Sequence, residues 1–481
     1  MNSIYWHDYE TFGADPRRDR PSQFAGIRTD EDLNIISDPL MIYCRPADDY
    51  LPDPGACVVT GLSPQIALEK GLSESEFCAK IYNEFIQPGT CVAGYNSIRF
   101  DDEVTRHMLY RCFYDAYERE WKYGNSRWDI IDLVRMAHAV RPDGINWPKR
   151  EDGLTSFRLE ELTKFNGIGH EDAHDALSDV IATIDMAKLI KQQQPRLYDY
   201  LYKHRGKKSL LSMLNPDKRE PIVHVSGMFG AERGCVAVVI PLLQDPTNSN
   251  GFIAYDLSQD PDSWSGLNAD EIRERLYTPR AELPEGLERV ALKTIHANKC
   301  PALAPLSVLD DETLKRWNID LALCKNNLGK LESIKNLELT LAEVFRKPEY
   351  SEETDPDFML YSGSFFDHHD KNTMAEIHGL LPSELSSFKP PFHDQRLPEL
   401  LFRYRARNWP ETLNDEETSL WQEFCLQRFT EPESKMLNWE NFWQVLNQTK
   451  AEHPDKLQLL EEVAAYAKSI GQKVGLSEVV T

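Results

Sequence analysis

The chain has 481 residues, 41% of them hydrophobic and 10% aromatic, with a formal net charge of −24. This length exceeds a single typical core and predicts two or three domains, and with no run of about 18 apolar residues no membrane-spanning helix is expected. The nine cysteines are scattered, odd in number and never spaced C-x-x-C, which predicts reduced thiols in a cytoplasmic protein and argues against zinc.

The opening Met1-Asn2-Ser3 runs straight into a strand, leaving no room for a secretory leader. That strand, Ile4 to Tyr9, runs through the acidic stretch Tyr5 to Thr11, which carries Asp8 and Glu10 with one residue between them. Side chains alternate across a strand, so both carboxylates face the same side. Two like charges on one face of a core strand are costly to bury unless a cation lies between them. A lone D-x-E can also be an exposed edge strand with solvated acids, so the decision rests on acids further along.

Gln23 to Thr29 and Asp38 to Cys44 read as further strands, consistent with a mixed sheet. Helical patterns follow at Ser73 to Ile86, Asp102 to Phe113, Asp129 to Val140, Arg158 to Phe165 and His174 to Gln193. Between them, a strand over Thr90 to Tyr95 turns into Asn96-Ser97-Ile98-Arg99-Phe100-Asp101. The last helix is entered through Ala173-His174-Asp175-Ala176-Leu177-Ser178-Asp179. Asp175 competes with Asp179, because the two share a helix face; capping is the expected role of Asp172 and Asp175. Gln194-Pro195 marks a helix end and a domain edge, giving an α/β domain over residues 1–195.

Asp8, Glu10, Asp101 and Asp179 are then four candidate ligands for two Mg²⁺ ions about 3.5–4 Å apart, one aiding an attacking water and one a leaving oxygen. Hard oxygen donors favour Mg²⁺, with Mn²⁺ as a substitute, over zinc. His174, with an ordinary pKa of about 6.5, suits a general base near neutral pH.

From residue 196 to 350 the pattern changes to β-like runs, at His224 to Phe229, Cys235 to Pro241, Gly251 to Asp256 and Arg289 to Ile295. Helices are expected around Asp310 to Arg346, and the acidic stretch Pro348 to Asp357 reads as a linker. Amphipathic patterns such as Thr418 to Phe429 and Asp455 to Ser469 predict an all-helical domain over residues 351–481.

The order D-x-E, N-x-x-x-F-D, H-x-x-x-x-D resembles the histidine subgroup of the DEDD proofreading-exonuclease superfamily. His7 to Gly13, Arg99 to Arg106, Gly144 to Pro148, Ser156 to Glu160, His224 to Gly230 and Tyr404 to Asn408 narrow the likeness to bacterial exonuclease I. The resemblance implies a ribonuclease H-like exonuclease domain, an SH3-like β-barrel domain and a helical domain. It also implies processive 3′→5′ degradation of single-stranded DNA to 5′-mononucleotides with Mg²⁺, in DNA repair and recombination. Asp8, Glu10, Asp101, His174 and Asp179 occupy its catalytic positions, Glu10 doubling as a substrate contact.

Basic and aromatic residues interleave just after the third carboxylate, a composition suited to stacking bases and meeting phosphates. Core burial is the alternative for each aromatic there. The family segments assign strand contact to Arg106, Tyr117, Trp121 and Arg135, and place Arg158 at a phosphate near the cut. Tyr9 and Thr11 are candidates for positioning the terminal nucleotide. Lys207, in the densest basic cluster, is either part of a strand-guiding lane or of a solvated loop. Arg403, Arg405 and Arg407 either wall a channel or pair with nearby acids. The family also implies docking of the single-stranded DNA-binding protein's acidic tail on Arg141 and Tyr200, and a monomer suits an enzyme that encloses one strand.

The net acidity opposes DNA binding in bulk, but it is uneven. Basic and acidic residues number 11 and 11 over Arg99 to Arg158, 8 and 4 over Arg196 to Gly234, and 12 and 23 over Ser351 to Thr481. Competing readings are an exoribonuclease of the same superfamily, a polymerase-attached proofreading subunit, and a catalytically inactive nucleic-acid-binding scaffold. Almost 290 residues beyond the first domain and an intact acidic set weigh against them.

Overall fold

The computed structural model describes residues 2–170, 175–346, 353–432 and 436–477. In chain order its first part comprises β1 (Ser3–Thr11), β2 (Pro21–Thr29), β3 (Leu40–Tyr43), α1 (Pro54–Thr60), α2 (Pro64–Lys70), α3 (Glu74–Phe85) and β4 (Thr90–Gly94). There follow α4 (Asp101–Arg111), β5 (Ser126–Asp129), α5 (Ile131–Val140), α6 (Leu159–Phe165) and α7 (Ala176–Gln193). The chain forms two compact units, one of residues 1–126, 170–184 and 351–481, the other of 127–169 and 185–350.

In the first unit the strand order is β3-β2-β1-β4. β1 pairs antiparallel with β2, from Ile4 opposite Thr29 to Glu10 opposite Gln23, and parallel with β4, from Ser3 opposite Thr90 to Trp6 opposite Ala93. The expected mixed sheet is therefore present. Tyr5, Tyr9 and Phe24 face one side of it and meet Phe77, Ile81 and Phe85 of α3 and Met108 of α4. The spacing of four between those α3 residues puts them on one helix face. Ser73 starts α3 with a capping box: its hydroxyl accepts from the Glu76 N–H while Glu76 Oε2 accepts from the Ser73 N–H at 3.1 Å. The short helices α1 and α2, each opened by a proline, carried no periodic signal long enough to be expected.

The C-terminal part is helical as expected, with main helices Arg396–Asn408, Asp415–Thr430, Trp439–Glu452 and Leu457–Val474. Leu397, Leu400 and Tyr404 join the core beneath the sheet, and Trp421, Phe442, Trp443 and Leu460 form a second core with Phe12 and Tyr50. The linker expected over Pro348 to Asp357 needs correcting at its described end. Asp357 is fully buried and binds Arg403, Arg407 and Arg428, while Asp355 binds Arg403 and Arg428. Asp49 completes the knot, with Arg407 at 2.8 Å and Arg428 at 2.5 Å. Burial alone would raise the Asp49 pKa, but Arg407, Arg428 and Arg20 hold it well below the usual carboxylate range. Local composition cannot separate a solvated acidic stretch from acids whose partners are long-range arginines. The same contacts decide the alternation of Arg403, Arg405 and Arg407: Arg405 also pairs, with Glu417 at 2.8 Å. Their guanidinium groups hold the fold together, because a buried ion stripped of its partner is strongly destabilising.

The second unit holds α5, α6 and an antiparallel sheet of β6 (Ile222–Val225), β7 (Val236–Gln244), β8 (Gly251–Asp256), β9 (Leu292–His296) and β10 (Ala302–Pro305), in the order β10-β6-β7-β8-β9. The β7–β8 register shifts between Pro241 and Leu243, where proline supplies no ladder N–H. β6 stops short of the expected Phe229, because the Ser226 hydroxyl caps a 3₁₀ turn that follows. β10 and the helix Ala269–Tyr277 were not expected. Helices do occur at Asp311–Arg316, Leu321–Ser333 and Leu337–Val344 as expected. Among the described residues no helix is long and apolar enough to cross a membrane.

Candidate active site

β1 delivers the acidic pair. Asp8 is half-buried and Glu10 is 8% exposed, and both point away from the core face occupied by Tyr5 and Tyr9. The β1–β2 ladder shifts register between Glu10 and Thr11, a local irregularity of the kind that re-aims a side chain at a sheet rim. Across from them, the first turn of α7 carries Asp179. Oxygens of Asp8, Glu10 and Asp179 all lie within 4.8 Å of one another. Gln23, opposite Glu10 on β2, ties this helix to the sheet: its Oε1 accepts from the Ala176 N–H at 3.4 Å, and its amide donates to Asp175 Oδ1 at 3.3 Å.

Asp101 begins α4 and stands beside this group, its Oδ1 accepting from the Tyr9 N–H at 3.1 Å. Three of the four expected carboxylates thus converge, and the fourth is a neighbour whose charge both Asp8 and Glu10 feel. Burial, followed by the charges of Asp101, Glu10 and Asp179, pushes the Asp8 pKa well above the usual carboxylate range. Burial, then Asp179 and Asp101, pushes Glu10 up to about 8. Such crowding disfavours ionised carboxylates and is relieved by a cation among them. An all-oxygen donor set fits a hard divalent ion.

His174 lies outside the described residues, as does Asp172. His170, which sequence reasoning did not single out, directs Nε2 at Asp179 Oδ1, which accepts at 2.5 Å, and its side chain is 3% exposed. The available signal was its spacing, four residues before His174. Asp175 accepts from the Ser178 N–H at 3.2 Å, the capping role expected of it. Tyr9, expected to position a nucleotide, instead lies in the core, where its hydroxyl accepts from Thr105 at 3.1 Å. Thr11 is also buried and donates to the Gly13 carbonyl at 2.6 Å.

Arg106, Tyr117 and Trp121 belong to this unit. Trp121 is 65% exposed and Tyr117 half-buried, but Arg106 is only 6% exposed. Its guanidinium binds Glu120 at 2.7 and 3.0 Å and Glu103 at 2.9 Å, and covers the Tyr117 ring at 5.3 Å. The guanidinium expected to contact the strand is thus engaged with two carboxylates, one of them, Glu120, brought to it by the fold.

In the second unit Arg158 is exposed, and among the described residues its guanidinium has no ion pair. Arg135 binds Asp132 at 2.8 Å and covers Phe157 at 5.9 Å, and Lys207 donates to Asn250 at 2.6 Å. Arg141 pairs with Asp310 at 3.3 Å, and the Tyr200 hydroxyl donates to the Leu303 carbonyl at 3.2 Å.

Comparison with known proteins matches this architecture. Residues 5–187 fit an exonuclease family, 205–347 the exonuclease I SH3-like domain and 354–470 the exonuclease I C-terminal domain. Exodeoxyribonuclease I of Haemophilus influenzae is 48% identical over 466 residues, covering 96% of this chain and 98% of the relative. A zinc-bound form of the Escherichia coli exonuclease I–single-stranded DNA complex superposes with a TM-score of 0.93 at 44% identity, covering 98% of this chain and 99% of that one. An exonuclease I/SSB-Ct complex superposes with a TM-score of 0.90 at 44% identity, with the same coverage of each chain. The three matched domains follow one another along the chain, and the chain belongs to the exodeoxyribonuclease I family.

Proposed function

We propose that the chain degrades single-stranded DNA processively from the 3′ end, releasing 5′-mononucleotides, with two Mg²⁺ ions for which Mn²⁺ can substitute. The observation that carries this reading is the convergence of Asp8, Glu10 and Asp179 within 4.8 Å, with Asp101 beside them. When bound, the ions supply charge for activating a water and for stabilising the leaving oxygen. Asp8, Glu10, Asp101 and Asp179 hold them, and Glu10 also orients the terminal nucleotide. His174 takes the proton of the attacking water. His170, through its bond to Asp179, keeps that carboxylate turned toward Asp8 and Glu10.

Arg158 holds a phosphate near the cut, Tyr117 and Trp121 stack bases, and Arg135 and Lys207 contact the backbone. Arg106 acts mainly by fixing the Tyr117 ring beneath its guanidinium. Arg141 and Tyr200 are proposed to receive the acidic tail of the single-stranded DNA-binding protein, the Asp310 pairing with Arg141 being exchanged for the tail's carboxylate. A monomeric cytoplasmic enzyme of DNA repair and recombination fits this reading.

Matched DNA and RNA oligonucleotides, with salt titrations of binding, test it. DNA is expected to be cleaved in preference to RNA, and each phosphate contact to contribute a slope of about −0.7 on single strands. Lys207→Ala should flatten that slope by under one unit and shorten processive runs on long strands. Equal cleavage of RNA would favour the exoribonuclease reading, and an unchanged slope would remove Lys207 from the path.

A further inference from the structure

The loop between β1 and β2 closes where the Phe12 N–H donates to the Arg20 carbonyl at 2.9 Å. The Arg20 side chain turns into the first unit and is only 3% exposed. Among the described residues none of its three guanidinium nitrogens has a hydrogen-bond partner. The acid in ion-pair reach, Asp49, stands 3.9 Å away and is already held by Arg407 at 2.8 Å and Arg428 at 2.5 Å. Glu74, whose charge also acts on Arg20, is engaged by Arg111 through Nε at 3.1 Å and Nη2 at 2.5 Å. α4 adds further donors. His107 and Arg111 lie four residues apart and so share one face of that helix. Both are buried, and Arg111 Nη1 and the two His107 ring nitrogens also lack partners among the described residues.

We propose that Arg20, Arg111 and His107 together bind one small monovalent anion of the size of chloride. Charge ties the three to one locality. Burial, then the nearby Arg111 charge, lowers the Arg20 pKa to about 10. Burial, followed by Arg111, Arg17, Arg20 and Arg106, lowers His107 to about 3, so its imidazole is neutral and offers one N–H. Water would satisfy these N–H groups but would leave Arg20 facing the like charges of Arg111 and Arg407 in a poorly solvated interior. An anion accepts the same hydrogen bonds, strengthened by charge, and offsets that repulsion. Enclosure sets the class of ligand. A strand phosphate cannot reach side chains this buried, so the ligand is a free inorganic anion and not the substrate. Bound there, it ties the β1–β2 loop to α4, the helix that begins at Asp101.

The test melts the full chain while chloride is raised stepwise and ionic strength is held constant with gluconate, an anion too large for this enclosure. The wild type is expected to gain about 5 °C for each hundredfold rise in chloride above the dissociation constant. Arg20→Met, which removes the charge and keeps a side chain of similar reach, is expected to lose that dependence. Wild-type crystals grown in bromide should show anomalous density within hydrogen-bond reach of Arg20 and Arg111, a readout that stands even where the variant fails to fold. Melting indifferent to the anion, an equal chloride dependence in Arg20→Met, or density for water alone between these residues would each overturn the proposal. Bromide density without chloride-dependent melting would mark an adventitious ion only and would overturn it as well.

Discussion

Replacing Asp8 or Asp179 with alanine is expected to lower turnover by about 10³–10⁴-fold or more, since metal charge stabilisation is worth several kcal/mol and each 1.36 kcal/mol is tenfold. Binding of a long single strand should be nearly unchanged, because these groups hold metal at the end of the path and do not line it. Electrostatics gives the experiment an internal control. Asp8 sits among Asp101, Glu10 and Asp179, and burial and their charges together disfavour its ionised form. Removing the Asp8 carboxylate from such a cluster relieves repulsion, so metal-free Asp8→Ala should melt no lower than wild type, whereas Asp179→Ala also loses the bond to His170. A calorimetric scan beside the rate measurement therefore separates lost chemistry from lost fold. Near-normal turnover in Mg²⁺ would break the metal assignment.

His174→Ala is expected to cost roughly 10²–10⁴-fold, the usual contribution of a positioned general base, while metal and strand binding persist. The sign of its pH effect is fixed by its role. A base must be deprotonated to act, so the wild-type rate should rise between about pH 6 and 8 as the imidazole loses its proton. The alanine variant should lose that rise. A variant with the wild-type rate and an unchanged profile would place the base elsewhere. His170, bonded to Asp179, would then be the first residue to substitute.

Much of this site was legible in the sequence because its signals are local. Alternation along β1 alone puts Asp8 and Glu10 on one side, and the first turn of α7 carries Asp179. The helical pattern expected over Ser73 to Ile86 matches α3, which a capping serine opens and whose buried apolar residues recur four apart. What escaped was set by contacts distant in sequence. Nothing near Arg106 announces that Glu103 and Glu120 flank its guanidinium, and nothing near Asp357 announces Arg403, Arg407 and Arg428. Tyr9 alternates with Asp8 and Glu10, so the pattern that placed the acids outward also placed its ring in the core.

These carboxylates are expected to run metal-dependent hydrolysis from the 3′ end of a single strand. A time course on one oligonucleotide, labelled in separate samples at its 3′ and 5′ ends, with and without Mg²⁺, tests it most directly. In Mg²⁺ the 3′ label is expected to be released at once as a mononucleotide, while the 5′ label passes late into short products, and EDTA should stop both. Early release of the 5′ label, internal cuts as first products, or undiminished cleavage in EDTA would contradict it.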